Sequence, residues 1–118
     1  MFNVVIVNSH NKYSLKPLAR IIGSTTAGVE PKFMGIGPVP AINKLLAHYK
    51  FKLQDIDFFE INEAFSAQVL SVVKLLGLSN SMDKINPNGG AIAIGHPLGA
   101  SGARIFLTAV NNLIKNNK

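Results

Sequence analysis

Between Asn86 and Arg104 the sequence holds a single titratable side chain, His96, set among five glycines and two prolines. A backbone this rich in glycine can thread close to another group, and Pro97 biases His96 to an extended conformation. A histidine held in such a loop can take a proton as a base or donate one to a developing oxyanion. A lone loop histidine is more often a bystander, which is how His10 and His48 are read. The second segment is Glu60-Ile61-Asn62-Glu63-Ala64-Phe65, where a strand pattern passes directly into a helical one. Ligands of α/β proteins sit at the carboxyl ends of parallel strands. There the Asn62 amide can order a water or donate to an oxyanion. Taken alone, Asn62 reads as a helix N-cap, with Glu63 favouring the positive helix end. The chain has no cysteine, so disulfides, zinc–thiolate sites and a cysteine nucleophile are excluded within it. Nucleotide motifs fail: Gly35-Ile36-Gly37 meets Pro40 where a glycine is needed, and the glycines at 95, 99 and 102 lack the Lys-Ser/Thr of a phosphate loop.

The elements that must position these residues follow from periodicity. Val4–Val7 is a short β-branched run, and Ala19–Ala27 reads as a strand punctuated by Gly28 and Pro31. Met34 to Pro40 reads as a loop. Ile42, Leu45, Leu46 and Tyr49 fall on one face of a helix over Pro40–Tyr49. Ile56–Asn62 is the next strand. A helix over about Glu63–Leu76 follows, apolar nearly all round and ended by Gly77. A short strand near Lys84–Asn86, the glycine-rich loop Asn88–Gly99 and a helix over Ala100–Ile114 complete the pattern, with 115–118 a frayed tail. Strands alternating with helices predict an α/β fold whose sheet is mostly parallel.

The 118 residues fit one domain, and with 47% hydrophobic and 15% charged residues the chain is not disordered. Ten lysines against two arginines supply most of a net charge of +6. They are scattered, without the arginine forks or basic stripe of a nucleic-acid surface, so no nucleic-acid partner is expected. The longest uncharged stretch, Ile85–Ala103, is broken by Pro87, Pro97 and glycines, so no membrane span is expected. No secretory signal opens the chain, which predicts a cytoplasmic protein.

Together these segments resemble the C-terminal part of thiolases, the acyl-CoA C-acyltransferases. Asn62-Glu63-Ala64-Phe65 resembles the family's N-E-A-F box. The run from Gly89 to Arg104 resembles its G-G-A-I-A-x-G-H-P-x-G-A-S-G-A-R signature. Leu15–Ile21 and Met34–Ala41 match flanking segments in the right order. The resemblance implies a thiolase-like C-terminal domain, with a mostly parallel sheet flanked by helices, over residues 15–114. Residues 1–14 would be the residual end of an N-terminal domain. It further implies that His96 activates a nucleophilic cysteine and helps hold the substrate thioester oxygen, while Asn62 orders a water in the same oxyanion hole. Ala64 and Phe65 would line the pantetheine channel, and Met34 would border the acyl pocket. The implied chemistry is acyl transfer through an acyl-cysteine, either condensing two acetyl-CoA or cleaving a 3-ketoacyl-CoA. Coenzyme A enters as substrate, with no metal and no further cofactor.

Thiolases carry their nucleophilic cysteine in an N-terminal domain and a second cysteine after the last helix. The chain is therefore expected to stop before the domain's last two strands and to be inactive alone. Three readings follow: a thiolase segment paired with an N-terminal thiolase chain, a non-catalytic remnant, or a module binding CoA or acyl groups. A bare domain face would promote self-association.

Overall fold

Proline suits the first turn of a helix, where its missing N–H leaves no bond unmade. Pro38 and Pro40 accordingly open α1 (Pro38–Tyr49) two residues before its expected start. The computed structural model of the chain describes residues 13–118. The Val4–Val7 run, His10 and all but two residues of the block 1–14 lie outside it. A 3-10 turn, Pro31–Ile36, occupies part of the segment expected to be a loop. α2 (Ser66–Leu75) begins later than the sequence suggests because Phe65 is extended, at φ −149° and ψ 149°. Its end is as expected. Gly77 takes φ +73°, its N–H bonds Lys74 O at 3.1 Å, and Leu78 N–H bonds Val73 O at 2.9 Å. This paired closure needs a residue free to enter the left-handed region.

Two further helices follow. A single turn, α3 (Ala91–Ile94), forms inside the stretch expected to be all loop, and α4 (Ser101–Lys115) is the last. No helix among the described residues is long and apolar enough to cross a membrane.

The expected three-strand parallel sheet is, among the described residues, a single parallel bridge between Phe59 and Ile85. Phe59 N–H donates to Lys84 O at 2.8 Å, and Asn86 N–H donates to Phe59 O at 2.9 Å. Residues 19–27 run without regular pairing, because a strand needs a neighbour's backbone and none is paired with it among the described residues. That arm lies against α1, where Gly23 sits so close to the Tyr49 ring that a Cβ would collide with it. The core gathers around the bridge and one face of α2: Phe59, Ile61, Val69, Val72, Val73, Leu76, Leu78 and Ile85. Val39 and Ile42 of α1 pack on it, together with Leu53 and Ile56. Each fully buried side chain of this kind contributes about 1.5–3 kcal/mol. The all-round apolar pattern of α2 does not mean burial on most sides. Leu70 and Leu75 on its other face are exposed, since no element of the described residues covers them.

Candidate active site

Asn86 holds the site's floor together. Its backbone turns away from the bridge at φ +44°, in a region asparagine tolerates better than most residues. Its side-chain amide then takes over the pairing. Ile61 N–H donates to Asn86 Oδ1 at 2.7 Å, and Asn86 Nδ2 donates to Ile61 O at 2.9 Å. The amide thus acts as one more peptide rung, satisfying both polar groups of a buried residue. Nδ2 also donates to Glu63 Oε1 at 2.8 Å.

Glu63 carries the link onward. Its second carboxylate oxygen accepts Ile92 N–H at 2.9 Å, in the single turn of α3. The carboxylate lies so close to Gly90 that any Cβ there would collide with it. A carboxylate at this position satisfies an otherwise unpaired N–H of a helix start. This accounts for helical backbone within a glycine-rich run. Glu63 therefore does more than favour a helix end: it ties the segment bearing Asn62 to the segment leading to His96. Asn62 is not an N-cap, since α2 starts four residues later. Its Oδ1 is buried and takes no hydrogen bond among the described residues. No hydrogen bond joins Asn62 to His96 among the described residues.

His96 follows Gly95, whose φ of +92° turns the chain out of α3. The His96 residue is exposed, but its Nδ1 lies 2.6 Å from the hydroxyl of Ser101, the first residue of α4. Asn88 Nδ2 bonds Asn112 Oδ1 at 2.8 Å, fastening the other end of the loop to α4. Of the residues expected along a substrate channel, Met34 is 78% and Phe65 75% exposed, and Ala64 is exposed as well. The turn carrying Met34 packs on α2, with Gly35 in close approach to Gln68. Met34, Ala64, Phe65 and the His96 loop thus lie on elements that adjoin one another.

Beneath them Glu60 has a pKa raised above 4.5. Burial is the main cause, the Arg104 charge opposes it, and the Glu63 charge adds to it. Both Glu60 carboxylate oxygens and all three Arg104 guanidinium nitrogens are buried without a hydrogen bond among the described residues. Among the described residues no three His, Cys, Asp or Glu side chains gather as a metal site would require. A groove of about 450 Å³ between residues 19–23, α1 and α4 is lined by neither Asn62 nor His96. Among the described residues the candidate site presents Met34, Ala64, Phe65 and His96 on an exposed surface.

The sequence reading missed Asn86, the linking role of Glu63, and Ser101. Asn86-Pro87-Asn88-Gly89 gives only a turn signal, and Ser101 is one small residue among several.

Residues 15–118 match the family described as thiolase, C-terminal domain. The chain belongs to the thiolase family. It is 55% identical over 104 residues to a beta-ketoadipyl-CoA thiolase of Pseudomonas knackmussii, covering 88% of this chain and 26% of that protein. It is 54% identical over 99 residues to the cytosolic acetyl-CoA acetyltransferase of Mus musculus, covering 84% and 24% respectively. The solved structure of human mitochondrial 3-ketoacyl-CoA thiolase superposes with a TM-score of 0.88 at 46% identity, over 93% of this chain and 27% of that one. The chain thus spans about a quarter of the length of the curated relatives it matches. The thiolase-like C-terminal domain expected from the boxes at Asn62 and His96 is supported by these relatives, while the mostly parallel sheet expected with it is reduced, among the described residues, to the Phe59–Ile85 bridge.

Proposed function

We propose that this domain supplies the thioester-oxygen side of a thiolase active site, in the acyl transfer that cleaves a 3-ketoacyl-CoA or condenses two acetyl-CoA. The observation that carries this reading is the Asn86–Glu63–Ile92 chain of hydrogen bonds, which holds the Asn62 segment against the start of the His96 loop. In this reading His96 takes the proton of a cysteine thiol. It then presents that proton to the thioester oxygen as charge develops there. Asn62, free of any capping duty, orders a water that donates to the same oxygen. Met34, Ala64 and Phe65 border the acyl chain and pantetheine of CoA, and no cofactor beyond CoA as substrate enters.

The nucleophile lies outside these 118 residues, which contain no cysteine. Covalent transfer therefore needs a thiolase N-terminal region, whose contact surface includes the exposed Phe65, Leu70 and Leu75. The same apolar surface supports self-association when uncovered. Residues 19–27 and further strands complete a mostly parallel sheet in the assembled domain, and the protein acts in the cytoplasm.

The test is acetoacetyl-CoA thiolysis. The purified chain is silent alone and gains activity when a thiolase N-terminal chain bearing the nucleophilic cysteine and the C-terminal segment bearing the second cysteine are both added. His96→Ala then removes that activity. Equal activity in the His96→Ala mixture sinks the assignment.

A further inference from the structure

The hydroxyl of Ser101 stands between two groups. It lies 2.6 Å from His96 Nδ1 and 3.1 Å from the carbonyl oxygen of Pro97. Ser101 is 4% exposed, so its single proton is confined to these neighbours. Two arrangements are open to it. If the hydroxyl donates to Nδ1, one hydrogen bond forms and two oxygens face each other at 3.1 Å with no proton between them. If it donates to Pro97 O, which also accepts Ala100 N–H at 2.8 Å and Ser101 N–H at 3.0 Å, an Oγ lone pair is left to accept His96 Nδ1–H, and two bonds form in a continuous chain. Each bond in such a chain polarises the next.

From this geometry we infer that Ser101 is a positioning residue that fixes His96 in the Nδ1–H tautomer and leaves the Nε2 lone pair facing outward as a proton acceptor. The neutral histidine side chain in water prefers the opposite tautomer, with the proton on Nε2. The protein therefore reverses an intrinsic preference through one buried hydroxyl. This rests on the thiolase reading for its purpose: an empty Nε2 accepts the thiol proton, and the resulting Nε2–H becomes the donor to the thioester oxygen. The ring need not move between the two roles, because Ser101 Oγ accepts from Nδ1–H in both.

The experiment is long-range 1H–15N correlation on the full 118-residue chain with labelled histidine, about two pH units above the ordinary histidine value of about 6.5. Wild-type His96 shows a pyrrole-type Nδ1 and a pyridine-type Nε2, while His48 shows the solution pattern. Ser101→Ala returns His96 to the His48 pattern, and Ser101→Thr, which keeps the hydroxyl, retains the wild-type one. A pyrrole-type Nε2 in wild-type His96 overturns the inference whether or not the alanine variant folds, and so does an unchanged tautomer in a folded Ser101→Ala chain. Addition of CoA to the same sample separates the two readings. Unmoved amides at Met34, Ala64 and Phe65 count against the thiolase reading and leave the tautomer result standing.

Discussion

Replacing Asn86 with alanine removes three hydrogen bonds at once and asks a residue with a Cβ but no amide to hold φ +44°. Two of the bonds serve the N–H and C=O of buried Ile61, which would be left unpaired away from water. A typical net contribution is about 1 kcal/mol for each neutral bond and about 1.5–3 kcal/mol for the one to the carboxylate, so the total is about 4 kcal/mol. That is a large fraction of the roughly 5–15 kcal/mol by which a domain is stable. In urea, with a slope of about 2 kcal/mol/M, the unfolding midpoint falls by about 2 M. Asn86→Gly loses the same bonds but relieves the backbone, and recovers about 1 kcal/mol of the loss. Urea unfolding followed by circular dichroism measures all three proteins. A loss below about 1 kcal/mol for Asn86→Ala would refute the argument, because the amide would then not be acting as the last rung of the pairing.

Other substitutions probe the neighbouring links. Gly90→Ala drives a Cβ into the Glu63 carboxylate and costs about 1–3 kcal/mol. In a Glu63→Ala background that collision is gone, so a double-mutant cycle shows coupling of about 1 kcal/mol or more, and strict additivity refutes the contact. Glu60 has a folded-state pKa above its ordinary 4.5. Its contribution to stability is therefore full below the ordinary value and is lost as pH rises through the raised one. Glu60→Gln removes that downward slope between mildly acidic and neutral pH, which urea midpoints taken across the range detect.

The helices were legible because their signals are local. The i, i+3, i+4, i+7 set from Ile42 to Tyr49 needs only one face of α1 buried, and Gly77 marks the end of α2 through its own backbone freedom. Helix starts were less legible. Phe65 is extended, which delays α2, and the carboxylate of Glu63, distant in sequence from Ile92, makes a helical turn out of what reads as loop. His96 and Asn62 stood out because their boxes are long and ordered. Asn86 and Ser101 did not, since what they do depends on which backbone atoms the fold brings to them. The strand expected at 19–27 finds no pairing partner among the described residues, because β-branched residues describe a surface that fits a sheet and not the presence of a neighbour.

The rung at Asn86 also bears on how the chain assembles. It closes a loop between Ile61 and Asn86, 25 positions apart, that contains all of α2. Every buried member of the core cluster lies between Phe59 and Ile85. The segment is therefore a short-range unit whose closure entropy is modest and whose reward comes from its own contacts. As the polypeptide leaves the ribosome, this unit is complete once Asn86 has emerged. All of its residues are then available to pack before those of the His96 loop and α4 have emerged.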